Sequence, residues 1–232
     1  MANLGIIPAR GGSKRIPGKN KKLFCGKPLI TYIIEAALKS KLLDTIVVNS
    51  DDEDILEIAA QYENIIPIKR PAEISGDKAK AITYVNQTLE VMESSGKTYD
   101  AIVILQPTSP LTLAEDIDGT IQLLLDTGAD SAVSVVQLDH AIHPIKMKTM
   151  QGNKLLPFWE EERGRRAAHE LPVIYVRNCS VYASTLQTIR EQQDTIGKDC
   201  RGYVMPSERS VDINEPVDFE FAEFLFKKQK NV

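Results

Sequence analysis

A glycine-rich and strongly basic segment lies near the start of the chain, with the sequence IIPARGGSKRIPGKN from position 6. Gly11 and Gly12 lack side chains, so the backbone N–H groups there can approach phosphate oxygens closely. Arg10 can offer a planar pair of donors to two oxygens, whereas Lys14 and Lys19 act as point charges. We therefore predict that this segment binds a phosphorylated ligand.

Charge and glycine spacing narrow the kind of ligand. Residues 1–34 carry seven basic and no acidic side chains, although the net charge of the chain is −4. A nucleic-acid-binding protein is expected to have a broad basic face, so charge confined to one segment favours a small polyanion over nucleic acid. A solvated basic surface is the alternative. The segment has neither the G-x-x-x-x-G-K-[ST] phosphate loop nor the G-x-G-x-x-G dinucleotide motif.

The composition fits one globular domain over residues 1–232, with 43% hydrophobic and 26% charged residues. No apolar run approaches the roughly 20 residues that span a bilayer, and the N-terminus lacks the layout of a signal peptide. Cys25, Cys179 and Cys200 are widely spaced and form no C-x-x-C pair, which argues against a disulfide framework or a zinc site. We predict a cytoplasmic protein without membrane association.

Short apolar stretches alternate with segments whose apolar residues recur at helical spacing. Strands that are covered on both faces are apolar at successive positions, as several of these stretches are. Alternating strands and helices predict an α/β fold with a doubly wound, mostly parallel, Rossmann-like sheet, which binds ligands at the carboxyl ends of its strands. The predicted strands are Asn3–Pro8, Thr45–Asn49, Ile65–Lys69, Ala101–Leu105 and Ser131–Val136.

The stretch from Gln137 to Arg177 interrupts this alternation and is predicted to be an inserted hairpin or arm. Its apolar side chains exceed what an isolated arm should expose to water. We therefore predict that it packs on a second subunit and makes the protein a homodimer; the alternative is that it folds back on its own domain. The apolar residues are Ile142, Pro144, Ile145, Leu155, Leu156, Phe158 and Trp159.

Two further elements are expected after the arm. Ser180–Ala183 resumes a short strand, and Pro216–Lys228 is predicted to be a final helix. Asp218 is expected to cap or charge the start of that helix. The apolar face of the helix would be formed by Val217, Phe221 and Phe224.

Three later segments are as distinctive as the first: Arg70-Pro71-Ala72-Glu73 with Asp77, then LQPTSPL from Leu105, then SVDINEPVDF from Ser210. Together the four segments resemble, in the same order, the signature of the cytidylyltransferases that activate sialic acid and related nonulosonic acids. The resemblance covers nearly the whole chain. It implies a nucleotidyltransferase that transfers CMP from CTP to the anomeric hydroxyl of an acidic nine-carbon sugar and releases pyrophosphate.

The resemblance also implies a CTP site. Arg70 would lie near the base and phosphates. Gly11 and Lys19 complete the predicted site through the phosphate contacts expected from their residue types. The triphosphate and pentose would be held by Arg10, Ser13, Lys14 and Asn20.

A pocket for the sugar acid is implied as well. Gln106 would contact the sugar, with Thr108 and Ser109 alongside it. The sugar carboxylate would pair with Arg165 or Arg166 in the arm. In the related enzymes this arm packs against a second subunit and helps to complete the pocket.

The wall of the sugar pocket departs from the usual pattern. Asn178 and Tyr182 would surround the hydroxyl and acyl groups of the sugar. Members of the family usually have Gly-Ala after this asparagine, whereas this chain has Cys179 and Ser180. The difference leaves open which acyl groups the pocket accepts.

Asp212 is the predicted ligand of Mg²⁺, a hard cation that prefers oxygen ligands and reaches phosphates through one or two carboxylates. Related enzymes often carry Asp-x-Asp at this place, whereas this chain has Asn214 as the second residue. An amide oxygen can still coordinate the metal or hold a water bound to it, but it adds no charge. A site with two carboxylates is therefore in doubt.

The implied reaction is an in-line attack by the anomeric hydroxyl on the α-phosphorus of CTP. Arg10, Lys14 and a Mg²⁺ held by Asp212 would neutralise the charge that develops on pyrophosphate. Gln106 would position the attacking hydroxyl. The sequence identifies no convincing general base, and either a water or Asp212 could serve.

Three alternatives stay open. One is a cytidylyltransferase for 3-deoxy-manno-octulosonate, whose family resembles this chain around the first segment but is expected to have an acidic metal ligand where Gln106-Pro107-Thr108 lies. Another is a nucleotidyltransferase for a neutral sugar phosphate. The third is a non-catalytic nucleotide-binding protein, which only Asn214 favours. The sequence does not specify which nonulosonic acid is used.

Overall fold

The computed structural model of the protein describes residues 1–76, 78–158 and 171–230. In chain order the strands are β1 (Asn3–Pro8), β2 (Leu23–Phe24), β3 (Lys27–Pro28), β4 (Thr45–Ser50), β5 (Ile65–Lys69), β6 (Ala101–Leu105), β7 (Ser131–Gln137), β8 (Lys148–Gln151), β9 (Lys154–Pro157), β10 (Tyr175–Thr185) and β11 (Cys200–Val204). The α-helices are α1 (Leu29–Leu38), α2 (Glu53–Ala60), α3 (Ala81–Ser94), α4 (Ala114–Thr127) and α5 (Pro216–Lys230).

Seven strands form the central sheet, in the order β11-β7-β10-β6-β1-β4-β5. β1 pairs in parallel with β4 and β6, β4 with β5, and β7 with β11, whereas β10 runs antiparallel to both β6 and β7. The predicted mostly parallel α/β sheet is confirmed, with five strands close to their expected bounds. The sequence did not predict β11, because this edge strand, CRGYV, is mostly exposed and has no apolar run.

Helices cover both faces of the sheet. The apolar stripes of α1, α2 and α4 pack on one face, and that of α3 packs on the other. Alternate residues of β6 serve the two layers, with Val103 and Leu105 on the first face and Ile102 and Ile104 on the second, because successive side chains of a strand point to opposite faces. Each such side chain contributes about 1.5–3 kcal/mol when fully buried.

The final helix packs through a different face from the one predicted. Phe219 and Ala222 of α5 are buried with Ile16 and Ile213 in a third apolar cluster. The Phe219 ring meets the edge of Phe24, with 5.5 Å between ring centroids. The predicted face is instead exposed to solvent; it comprises Val217, Phe221 and Phe224.

The arm contains the predicted hairpin. β8 and β9 pair with each other as a separate two-stranded antiparallel sheet. Trp159 lies outside the described residues. Several apolar side chains on and beside the hairpin are more than half exposed, namely Ile142, Met150, Leu155, Phe158 and Val173. In the described part of the chain, no helix is both long and apolar enough to cross a bilayer.

Candidate active site

A cavity of about 630 Å³ opens at the carboxyl edge of the central sheet. The ends of β1, β5 and β6 meet there, because parallel strands finish at the same edge. β10 and the segment before α5 close its other sides. Of the residues predicted for binding or catalysis, the cavity is lined by Arg10, Ser13, Lys14, Lys19, Asn20, Arg70, Gln106, Thr108, Tyr182, Asp212 and Asn214.

The basic segment is held in place by apolar packing below it and by hydrogen bonds beside it. Ile16 is buried in the same cluster as Ile213. The Asn20 side chain donates to the Arg10 carbonyl at 3.0 Å, and the Lys19 ammonium donates to the Ile213 carbonyl at 2.6 Å. The segment therefore forms a fixed part of the cavity wall.

The charge around Lys19 favours an anionic ligand. Burial lowers the pKa of Lys19, because its ammonium loses hydration, while the Asp212 carboxylate opposes this shift. Arg15 and Arg10 lower the pKa of Lys19 further. The cations here are therefore close enough to affect one another. The positive potential that they create together attracts a polyanion.

Gly11 makes a different contact from the one predicted. Its N–H donates to Asp51 Oδ1 at 3.0 Å, and a Cβ at this position would lie 2.6 Å from Asp52 Oδ2. Asp52 caps α2 by accepting from the N–H of Ile55 and pairs with Lys21 at 2.9 Å. Glycine is needed here because the backbone packs against the start of α2, and a phosphate contact of Gly11 stays a prediction.

Arg70 reaches the cavity from the end of β5 and is almost fully buried. Its Nε donates to Asn49 Oδ1 at 2.5 Å, and its Nη2 donates to the Asn49 carbonyl at 2.9 Å. The guanidinium lies over the Tyr84 ring, 4.7 Å from the ring centroid. Burial lowers the pKa of Arg70 and raises that of Tyr84 to about 12, as expected for ionisable groups removed from water.

The segment after β6 brings Gln106 and Thr108 to the cavity. The Gln106 N–H donates to a carbonyl of β10 at 3.0 Å, and the Thr108 carbonyl accepts from the Ile213 N–H at 2.9 Å. Ser109 is fully buried instead, and its hydroxyl donates to the Cys179 carbonyl at 3.4 Å. Ser109 thus supports the segment from inside the protein, and its contact with the sugar stays a prediction.

β10 carries two predicted sugar ligands, of which only Tyr182 lines the cavity. Asn178 is buried; it accepts from the Ser134 hydroxyl at 2.6 Å and donates to the Ser210 hydroxyl at 2.9 Å. It ties β7 to the segment before α5, and its contact with the sugar stays a prediction. Burial raises the pKa of Tyr182, and the neighbouring Cys179 raises it further, so the hydroxyl remains a hydrogen-bond donor at neutral pH.

Asp212 and Asn214 form a hydrogen-bonded pair. The Asn214 amide nitrogen donates to Asp212 Oδ2 at 2.7 Å, and its oxygen accepts from Arg15 at 3.3 Å. Asp218 accepts from the N–H groups of Asn214 and Glu215, which confirms that it caps α5.

Within residues 1–76, 78–158 and 171–230, no group of three His, Cys, Asp or Glu side chains could hold a metal. Among the same residues, Asp212 supplies the cavity's one carboxylate.

The cytidylyltransferase family model matches residues 4–229, almost the full length of the chain. The chain belongs to the cytidylyltransferase family. It is 31% identical to pseudaminic acid cytidylyltransferase of Campylobacter jejuni, over 98% of this chain and 97% of that relative. It is 33% identical to CMP-N,N'-diacetyllegionaminic acid synthase of Legionella pneumophila, over 98% and 97%. These findings confirm the expected family and the assignment as a nucleotidyltransferase.

A solved structure shares the fold of this cytidylyltransferase. It is the CMP:2-keto-3-deoxy-manno-octonic acid synthetase complexed with CTP, with a TM-score of 0.68 and 20% identity. The match covers 99% of this chain and all of that one. At this level of identity the likeness shows the fold and leaves the substrate open.

Two predicted residues of this cytidylyltransferase lie outside the described part of the chain, and several residues that were not predicted also line the cavity. Arg165 and Arg166 lie outside the described residues, so their pairing with a sugar carboxylate stays a prediction. Tyr84 lines the cavity although it belongs to none of the four segments. Its place one residue before buried Val85 on α3 was the only signal for it in the sequence.

Replacing Gly11 by Ala should destabilise this cytidylyltransferase, because the added Cβ must displace Asp52. Overpacking of this kind costs about 1–3 kcal/mol, which in a domain of this size lowers the melting temperature by roughly 2–12 °C. Gly12→Ala is the matched control, since a Cβ there would meet no atom within 4 Å. Scanning calorimetry measures both variants, and equal melting temperatures would contradict the assigned role of Gly11.

Proposed function

We propose that this enzyme transfers CMP from CTP to the anomeric hydroxyl of a nonulosonic acid and releases pyrophosphate. The observation that carries the proposal is the single cavity into which the basic segment, Arg70, Gln106 and Asp212 all converge. The names of the two relatives, which act on pseudaminic and diacetyllegionaminic acids, support an acidic nine-carbon sugar as acceptor. Both substrates are anions, so a cavity rich in cations suits them.

The basic segment provides the CTP end of the cavity. Arg10, Lys14 and Lys19 would bind the triphosphate, and Ser13 adds a hydroxyl beside them. Asn20 is buried, and its Oδ1 has no hydrogen-bond partner among the described residues. A buried acceptor of this kind is normally satisfied, so a hydroxyl of the CTP pentose is the partner that we assign to it.

A Mg²⁺ ion fits the Asp212 end of the cavity when the triphosphate supplies the other ligands. Mg²⁺ commonly binds through one or two carboxylates together with substrate phosphates and several waters. Asp212 offers one carboxylate, and Asn214 orients it through the amide nitrogen. When bound, the ion would add positive charge near the leaving pyrophosphate. Asn214 would serve as a ligand only if its amide turned away from both Asp212 and Arg15.

The wall formed by Gln106, Thr108 and Tyr182 suits the sugar acid. Gln106 offers an amide that can orient the attacking hydroxyl, and alignment of the reacting groups lowers the barrier. Thr108 and Tyr182 add hydroxyl groups to the same wall, and the Cys179 thiol stands beside Tyr182. Arg10 and Lys14 would stabilise the charge that develops as pyrophosphate leaves. We keep the proposal that Arg165 or Arg166 meets the sugar carboxylate.

Pyrophosphate release tests this function. CTP should be preferred to UTP, GTP and ATP, with pseudaminic, diacetyllegionaminic, N-acetylneuraminic and 3-deoxy-manno-octulosonic acids as acceptors. Turnover with a nine-carbon acid supports the proposal and names the acid. Turnover only with the eight-carbon acid, or only with a neutral sugar phosphate, would replace the proposed substrate. CTP binding without turnover with any acceptor would favour a non-catalytic protein.

Lys14→Ala should lower kcat/KM by about two orders of magnitude, the scale expected when one preorganised electrostatic contact is lost. Lys27→Ala is the matched control, because Lys27 belongs to the same basic N-terminal region but pairs with Glu35 outside the cavity. Steady-state kinetics with saturating sugar acid measures the effect. Turnover of Lys14→Ala close to that of Lys27→Ala would remove Lys14 from the site.

Asp212→Asn should abolish most of the gain in CTP affinity that Mg²⁺ provides, because the carboxylate that faces the ion loses its charge. Calorimetric titration of CTP with and without Mg²⁺ measures this gain directly, and activity should recover only in part at high Mg²⁺. The control is Glu215→Gln, a nearby exposed carboxylate that pairs with Arg15. An unchanged Mg²⁺ dependence in Asp212→Asn would refute the assigned metal site.

We further propose that the enzyme is a cytoplasmic homodimer joined through the arm. The exposed apolar side chains of the arm support this, because a surface of this kind normally packs on a partner. The three cysteines are free thiols, which suits a reducing compartment. In a dimer of this kind the partner's arm would help to complete the sugar pocket.

Leu155→Asp should shift the protein from dimer to monomer, because a carboxylate would be buried in the apolar contact without a partner. Phe221→Asp is the control; its side chain is similarly exposed but lies on α5, away from the arm. Sedimentation velocity at micromolar concentrations distinguishes the two. A wild-type protein that is only monomeric, or a dimer that Phe221→Asp dissociates instead, would overturn this arrangement.

A further inference from the structure

Arg70 is a buried cation that is surrounded by neutral groups. Only 5% of its surface is exposed, yet it lines the cavity. In the described part of the chain its guanidinium forms no ion pair; its partners are the side chain and carbonyl of Asn49 and the ring of Tyr84. Burial lowers the pKa of Arg70 even though the Asp51 carboxylate opposes this shift. A buried charge without an opposite charge is costly, so this guanidinium favours an anionic ligand in the cavity.

The amide of Asn49, which is fully buried near the end of β4, is oriented by α3. Its Nδ2 donates to Gln87 Oε1 at 2.6 Å and to Thr88 Oγ1 at 2.9 Å. The Thr88 hydroxyl gives its one proton to the Tyr84 carbonyl at 2.8 Å, so it can only accept from Asn49. The nitrogen of the Asn49 amide must therefore face α3, and its oxygen faces Arg70.

An amide at position 49 fixes the guanidinium of Arg70 without cancelling its charge. Asn49 Oδ1 accepts from Arg70 Nε at 2.5 Å, and the Asn49 carbonyl accepts from Nη2 at 2.9 Å. Two of the three nitrogens are thus committed to neutral oxygens, which leaves Nη1 for a ligand. A carboxylate in the same place would accept from the same nitrogen, but it would form an ion pair with Arg70. The positive charge would then be neutralised before any ligand binds.

We propose that Asn49 is a positioning residue for CTP, which fixes Arg70 through neutral acceptors and so keeps its positive charge for a phosphate group of the nucleotide. This inference rests on the proposed function, which assigns Arg70 to CTP. Asn49 is fully buried and does not line the cavity, so its effect on the nucleotide passes through Arg70. Substitutions that change its charge or its hydrogen bond separate the two parts of this role.

Asn49→Asp has nearly the same shape as the wild-type residue and adds a negative charge. CTP affinity, measured by calorimetry, should fall about tenfold to a hundredfold, the scale of one hydrogen bond to a charged group. The KM for the sugar acid at saturating CTP should stay within about twofold of the wild-type value, because Arg70 serves the nucleotide. Asn64→Asp is the matched control. Asn64 is exposed directly before β5, at the opposite edge of the sheet from Arg70, so CTP affinity should be unchanged there.

Asn49→Ala removes the acceptor of Arg70 Nε and adds no charge. CTP affinity should fall by about twofold to tenfold, the scale of one ordinary hydrogen bond, and therefore less than in Asn49→Asp. Cytidine distinguishes the phosphates from the base, because it is the same nucleoside without an anionic group. Its affinity, measured by ligand-observed NMR, should stay within about twofold of the wild-type value in both variants, since a phosphate is the group assigned to Arg70.

A double-mutant cycle shows whether Asn49 acts through Arg70. In an Arg70→Met background, Asn49→Asp should have no further effect on CTP affinity, because the charge that it cancels is gone and a buried carboxyl group without a cation stays protonated. Equal losses in Asn49→Asp and Asn49→Ala, CTP affinity unchanged in Asn49→Asp, a matching loss of cytidine affinity, or additive effects in the cycle would each overturn the proposal.

Melting temperatures within a few degrees of the wild type exclude misfolding as the cause of these losses. If Asn49→Asp does not fold, Asn49→Ala decides the matter through the cytidine comparison and the same cycle with Arg70→Met. Calorimetry with CTP needs no turnover, so the inference is tested even where the sugar-acid panel fails. A wild-type protein that does not bind CTP would refute the proposed function, whereas wild-type binding that Asn49→Asp leaves unchanged would refute only this inference.

Discussion

The burial of Ile16 and Ile213 in one apolar cluster is the interaction on which the site depends. Ile16 belongs to the basic segment, and Ile213 follows Asp212 directly, so their shared burial brings cations and carboxylate to the same place. Like charges gathered in this way repel one another. Apolar contacts are not screened by salt and do not depend on protonation, so they can hold the segment in place before any anion arrives.

This constraint explains why the final helix packs as it does. Phe219 of α5 completes the cluster under the basic segment and meets Phe24 edge to face, and Lys22 lies 4.8 Å from the Phe219 ring centroid. The helix is capped by Asp218, whose carboxylate also binds the N–H of Asn214. Apolar packing and the cap thus fix the segment that carries Asp212, and α5 is as much a support of the site as the sheet is.

The sequence predicted the sheet and most of the cavity because buried strands and motif residues are local signals. It could not decide which way a polar side chain turns. Thr108 lines the cavity and its neighbour Ser109 is buried, because adjacent residues along a chain turn to different sides. The Asn178 side chain is likewise turned into the protein. Local sequence also does not give the contact of Gly11 with Asp52 or that of Tyr84 with Arg70, because each joins residues distant in sequence and depends on how α2 and α3 pack.

Asn214 carries no charge where a second carboxylate was expected, yet its hydrogen bonds hold Asp212 and Arg15 together. An amide both donates and accepts, so it bridges the Asp212 carboxylate and the Arg15 guanidinium. A carboxylate in its place could pair with Arg15 but would repel Asp212. Mg²⁺ needs few protein ligands when a triphosphate provides the others. The amide therefore suits the proposed Mg²⁺ site if the metal arrives with CTP and is held by one carboxylate, rather than being bound by the protein before the nucleotide.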